Sequence, residues 1–96
     1  MITSFGDQAT EDLYNGVNSK ESRKIPSNIV IVALRKLDMI NSAHRPEDLK
    51  APPGNRLEHL KGNRSGFYSI RINDQFRIIF TMAQSNAYTV QIVDYH

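Results

Sequence analysis

The sequence predicts a single α+β domain over residues 1–96, with N-terminal helices packed on a small, mainly antiparallel twisted sheet. Apolar residues recur at helical spacing in the first half of the chain. The second half alternates between strand-like runs and short turn-forming links. Length adds a third constraint, because 96 residues support one modest core and are too few for two.

Residues 2–5 are apolar at both ends and fit a short first strand. Asp7 is placed to cap a helix running to about Tyr14, with Ala9, Leu13 and Tyr14 as its stripe and Gly16 as its stop. Residues 16–24 are polar and lack an apolar period, which predicts a mobile loop. Pro26, Ser27 and Asn28 then open a longer helix to about Asn41. Residues 29–34 are β-branched enough for a buried strand. Ala33, Leu37 and Ile40 nevertheless continue at helical spacing, with Arg35, Lys36 and Asp38 between them, so the period favours a helix. Pro46, Pro52, Pro53 and Gly54 break regular structure over residues 43–55, leaving room for one helical turn at 46–49. Strand-like runs follow at 56–61, 67–72, 76–82 and 88–95. Their links at 62–66, 73–75 and 84–86 are short enough for antiparallel hairpins.

Composition narrows the function class. With 40% hydrophobic and 23% charged residues the chain reads as globular. No apolar run approaches the roughly 20 residues of a membrane span, and residues 1–7 lack the basic start and apolar stretch of a signal peptide. The absence of cysteine excludes disulfides and thiolate–zinc sites and fits a reducing compartment, so a cytoplasmic location is expected. The net charge is only +2, but it is unevenly spread. Residues 1–15 carry three acids and no base, whereas residues 56–77 carry Arg56, Lys61, Arg64, Arg71 and Arg77 against Glu58 and Asp74. That asymmetry fits one face meeting phosphate, or a solvated surface of mixed charge.

Candidate chemistry gathers near the end of the chain. Strand alternation puts Tyr88, Val90, Ile92, Asp94 and His96 on one face and Thr89, Gln91, Val93 and Tyr95 on the other. An aspartate beside an imidazole favours the protonated ring, which would make His96 a proton donor. Alternatively, Asp94, Tyr95 and His96 close the sheet edge. In the preceding run Phe76, Ile78 and Phe80 share a face, leaving Arg77 with Ile79. An arginine among apolar neighbours is either paired with an acid, here Asp94, or aimed at an anionic ligand. In the second case its fork can hold two phosphate oxygens and stabilise a pentacoordinate transition state.

Lys61 and Arg64 flank Gly62 at a turn, where they suit a backbone phosphate contact or simple solvation. Among Phe67, Tyr68 and Phe76, Tyr68 is the better RNA-stacking candidate, the phenylalanines fitting the core. His44, His59 and His96 have no metal-ligand spacing, and no nucleotide-binding loop or serine elbow occurs. No metal or cofactor is therefore expected.

Three stretches resemble the HigB branch of the RelE-type bacterial toxins: Pro52-Pro-Gly-Asn-Arg-Leu-Glu-His-Leu-Lys-Gly62, Tyr68-Ser-Ile-Arg-Ile-Asn-Asp-Gln-Phe-Arg-Ile78 and Ile92-Val-Asp-Tyr-His96. Their order and spacing agree, and the resemblance covers essentially the whole chain, most weakly over residues 16–28. It implies a RelE-like fold and a ribosome-dependent endoribonuclease that cuts messenger RNA in the A site during translation. It also implies a cognate helix-turn-helix antitoxin, with operator DNA bound only through the toxin–antitoxin complex. By position, Asp94, Tyr95 and His96 match the family's catalytic group, Arg77 its strand arginine, and Lys61 the basic residue before the glycine turn; Arg56, Arg64, Arg71 and Tyr68 join Lys61 as candidate RNA contacts. Glu58 stands where some members place a functional histidine. His59 lies one residue along and would face the other way in a regular strand.

The expected chemistry is attack by the RNA 2′-hydroxyl oxygen on the adjacent phosphate, with His96 protonating the departing 5′-oxygen. Asp94 would hold His96, Arg77 and Lys61 would stabilise the phosphorane, and Tyr95 would orient the nucleotide. The base stays open between Glu58, His59, Asp94 and the ribosome. The competing class is a non-catalytic basic module that blocks translation sterically. Only the enzyme needs Asp94 and His96.

Overall fold

Asp7 begins the first helix as the sequence indicates. Its side chain accepts from Thr10 N at 2.9 Å, and α1 runs over Gln8–Tyr14 in the computed structural model, which describes residues 1–95. A 3₁₀ turn at Ser27–Ile29 leads into α2, Val30–Ser42, and a second at Pro46–Lys50 occupies the single turn expected among the prolines. The four strands are β1 (Glu58–His59), β2 (Tyr68–Arg71), β3 (Phe76–Ala83) and β4 (Asn86–Asp94). They form one antiparallel sheet in the order β1-β2-β3-β4. Among the described residues no helix is long and apolar enough to cross a membrane.

The sheet has two unlike faces. Ile70, Ile72, Ile78, Phe80, Ala87 and Val90 pack with Ile29, Ala33, Leu37, Ile40 and Leu49 in the main core. Burying each large aliphatic or aromatic side chain stabilises the fold by about 1.5–3 kcal/mol. Among the described residues the other face carries only a small cluster of Leu60, Ile79 and Val93, with Phe67 against it. It therefore stays open to a ligand.

Residues 2–5 do not form a full strand. Isolated parallel bridges join Ile2 to Ala87 and Phe5 to Val90, so the segment lies along the outer edge of β4. Gly6 N donates to Val90 O at 2.8 Å, and a Cβ at Gly6 would sit 2.8 Å from Gln91 Oε1 and 3.1 Å from Thr89 O. Close backbone approach is what requires glycine here.

One expectation about β4 is overturned. Thr89 has φ 57° and the β3–β4 register shifts between Ile79 and Thr81, so a bulge inserts one extra residue. Tyr88 pairs with Thr81 and falls on the open face, opposite Val90 and Ile92 rather than beside them. Simple alternation cannot anticipate a bulge.

Residues 16–24, expected to be mobile, are instead tied down by polar groups. Ser19 Oγ donates to Asp12 Oδ2 at 2.6 Å, Ser22 Oγ donates to Val17 O at 2.9 Å, and Val17 N donates to Asp12 O at 2.8 Å. Hydroxyl anchors leave no apolar period in a sequence. The Ser19 hydroxyl, then the Gln8 amide, hold the Asp12 carboxyl below its ordinary range. A lowered carboxylate contributes stability above its unfolded pKa, about 3.9, and loses it as pH falls through the lower folded value. Asp12→Ala is expected to speed limited proteolysis within 16–24 at neutral pH. Cutting at the wild-type rate would show that the serine contacts suffice.

Candidate functional site

The open sheet face brings together residues far apart in sequence. Glu58 pairs with Ser69, Ser69 with Ile79, Arg71 with Arg77, and Arg77 with Val93. Directly opposed residues share a face, so Glu58, Ser69, Arg71 and Arg77 project together, and alternation from Val93 adds Tyr95. Arg56, Glu58, Arg71, Asn73, Asp74, Arg77 and Tyr95 line a depression of about 480 Å³. Three arginines against two acids make its lining net basic.

Arg77 is the fixed point of this cleft. It is only 8% exposed, an unusual place for a guanidinium without partners. Its Nε donates to Ser69 Oγ at 2.8 Å, and its Nη2 donates to Arg56 O at 2.6 Å and lies 3.1 Å from Glu58 Oε1. Ser69 is itself fully buried, so the hydroxyl cannot turn to water instead. The Tyr95 ring lies 5.7 Å from the guanidinium carbon, within cation–π range. No polar atom of the side chain is both buried and unsatisfied, and among the described residues Nη1 has no hydrogen-bond partner. Among the described residues, two N–H bonds of this held guanidinium therefore meet no protein acceptor.

Structural pairing and ligand binding were alternative roles for Arg77, and the geometry accommodates both. The acid on it is Glu58, not Asp94. Asp94 pairs with Phe76 in register, placing it toward the helix side of the sheet, and its Oδ2 accepts from Gln75 Nε2 at 3.0 Å. Tyr95 and Asp94 are therefore split between faces. His96 lies outside the described residues.

The remaining candidates separate clearly. Arg71 sits beside Arg77 and pairs with Asp74 at 2.5 Å. Arg56 is exposed at the cleft wall with φ 47°. Lys61 and Arg64 are exposed on the β1–β2 connection and do not line the cleft. Tyr68, offered as an RNA-stacking residue, faces the helix side. It lies between His59, stacked at 4.6 Å with a 12° interplanar angle, and Phe80 at 6.1 Å. His59 accordingly faces away from Glu58, as strand alternation required, and Glu58 is the one that enters the cleft.

Sequence reasoning missed Ser69. Its signal was a small hydroxyl residue between Tyr68 and Ile70 in a strand, where a fully buried polar group must have a partner. Among the described residues no cluster of three or more His, Cys, Asp or Glu is gathered as metal ligands would be.

Residues 3–96 match the family described as the RelE-like toxin of the type II toxin–antitoxin system HigB. The chain belongs to this family. Toxin HigB-1 of Vibrio cholerae serotype O1 is 45% identical over 80 residues, spanning 83% of this chain and 82% of that protein. Endoribonuclease HigB of Proteus vulgaris is 31% identical over 97 residues, covering 100% of both. Among solved structures, the YoeB–YefM complex from Staphylococcus aureus aligns with TM-score 0.62 at 19% identity, over 100% of this chain and 98% of that one. YafQ from E. coli aligns with TM-score 0.55 at 12% identity. At such identities these matches establish the fold, and the α+β arrangement of a HigB-like toxin is the one observed.

Proposed function

We propose that this HigB-like toxin is an endoribonuclease that cleaves messenger RNA in the ribosomal A site without a metal, its chemistry centred on the Arg77 cleft. The observation that carries the proposal is the buried guanidinium of Arg77, held by Ser69, Arg56 and Glu58 in the lining of a net-basic cleft. A relative aligned over its full length carries the name endoribonuclease. Fixed donors aimed at developing charge are worth more than mobile ones, because they need no reorganisation during reaction.

In this mechanism Arg77 binds the scissile phosphate and stabilises its extra negative charge, assisted by Arg71 and Arg56. Of the candidate bases Glu58, His59 and Asp94, Glu58 is the one that lines the cleft, and it is the preferred base. It takes the 2′-hydroxyl proton as that oxygen attacks phosphorus, and the bond to the 5′-oxygen breaks. His96 supplies the proton to the leaving oxygen, a role assigned from sequence alone. Asp94 accepts from the Gln75 side chain while Tyr95 N donates to Gln75 O, which fixes the end of β4, and Tyr95 orients the nucleotide over Arg77. The products are a 2′,3′-cyclic phosphate and a 5′-hydroxyl. Mapping messenger RNA ends after brief induction should find new 5′-hydroxyl ends inside translated frames. Ends bearing 5′-phosphate would indicate a different chemistry.

The toxin would act in the cytoplasm with a helix-turn-helix antitoxin that neutralises it and, as a complex, binds operator DNA. Lys61 and Arg64, outside the cleft, suit contacts to RNA phosphates of the ribosome or message. Ribosome affinity should fall steeply with salt through counterion release. Lys61→Ala or Arg64→Ala should weaken binding and flatten the log–log salt slope by about one for each phosphate no longer neutralised, leaving cleavage positions unchanged. An unaltered slope would place both cations away from phosphate.

A further inference from the structure

Lys36 is 7% exposed in the middle of α2, among residues that form the helix–sheet core. Among the described residues no carboxylate accompanies it. Its Nζ donates to Asn55 Oδ1, and Asn55 is fully buried. Burial, then Arg35 and Arg71, push the Lys36 ammonium below its ordinary pKa, so the group is held at a cost that packing alone does not explain.

Asn55 passes the constraint on. Its Nδ2 donates to Leu49 O at 3.1 Å and Ala51 O at 3.4 Å, and its backbone N donates to Pro52 O at 2.9 Å. The next residue, Arg56, has φ 47° and ψ 56°, a left-handed conformation disfavoured for a side chain with a Cβ. Such a conformation persists where its surroundings over-determine it. The Arg56 carbonyl, in that conformation, accepts from Arg77 Nη2 at 2.6 Å. An unbroken series of contacts therefore runs from α2 through the proline loop to the cleft arginine.

We infer that Lys36 and Asn55 are positioning residues for Arg77, fixing the loop whose Arg56 carbonyl sets the direction of its guanidinium. The inference rests on the reading of Arg77 as the phosphate-binding arginine. Neither residue touches RNA in it. Lys36→Met keeps an unbranched apolar stem, one atom shorter, and removes the donor.

The test is the single-turnover cleavage rate at saturating toxin on programmed ribosomes, for wild type, Lys36→Met, Lys36→Arg and Arg77→Ala. Alongside it, hydrogen exchange of the Arg77 Nε–H is followed by NMR. Misplacement of about 1 Å can lower a rate about 10²-fold, and a loss of that order is expected in Lys36→Met with ribosome affinity unchanged and Arg77 Nε–H exchange faster. Lys36→Arg, which still donates to Asn55, should recover most of the rate. A purely structural lysine would lower the melting temperature without changing the rate or the exchange well below melting, and that result would overturn the inference. If Lys36→Met does not fold, Asn55→Asp is read the same way, since it keeps the acceptor and drops the donors to Leu49 and Ala51. Full activity in Arg77→Ala would instead overturn the reading of Arg77 itself, which separates the two failures.

Discussion

His96→Gln is expected to abolish messenger RNA cleavage while leaving folding and ribosome binding intact. Loss of a general acid lowers rates by about 10²–10⁴-fold. Among the described residues, the main core is built from α2, the sheet and the loops between them. Glutamine keeps a hydrogen-bonding side chain but has no proton to transfer. Cleavage and melting temperature should be measured on the same preparation. Undiminished cleavage by a folded variant would remove His96 from the mechanism and leave the Arg77 cleft without its proton donor.

Arg77 should show the second large effect, and its substitutions separate structure from chemistry. Arg77→Lys retains charge near Glu58. A single ammonium cannot serve Ser69 Oγ, Arg56 O and a phosphate together as the planar fork does. Its cleavage rate should fall about 10²–10³-fold, the usual loss for one transition-state donor. Arg77→Ala should be as inactive and also less stable, because the buried Ser69 hydroxyl loses its partner at a cost of about 1–3 kcal/mol. Glu58 adds little to that cost, since its side chain is 54% exposed and solvent takes over. If activity instead falls only in step with melting temperature, the arginine is a structural ion pair, and a full rate in Arg77→Lys shows that the planar fork is dispensable.

How much of this was readable from the sequence depended on the range of the interaction. Helix caps and hairpin links are local, so Asp7, α2 and the four-strand meander were visible in residue order. The faces of β3 were visible too, because Phe76, Ile78 and Phe80 alternate without interruption. The partner of Arg77 was not. Glu58 reaches it only through two registers, β1 on β2 and β2 on β3, neither of which is fixed by composition. The bulge at Thr89 reversed Tyr88 while leaving Val90 and Ile92 on the expected face, since one extra residue changes parity on one side alone. The face of Tyr68 was hidden for a related reason. Its amphipathic ring suited an exposed edge, but the register with His59 and Phe80 gave it two aromatic neighbours on the helix side. Lys36 resembled any solvated charge between apolar helix positions until Asn55, nineteen residues on, supplied an interior acceptor.

The most direct test of the account is purified toxin acting on one messenger RNA, free in solution or on programmed ribosomes, with Arg77→Lys beside wild type. A cleft with few catalytic groups gains most of its rate from a substrate held in line by its surroundings. The account predicts fast cleavage by wild type on ribosomes only, ending in 5′-hydroxyl termini, and about 10²–10³-fold slower cleavage by Arg77→Lys. Equally fast cutting of free RNA would contradict ribosome dependence, and full-rate cutting by Arg77→Lys would contradict the arginine-centred mechanism.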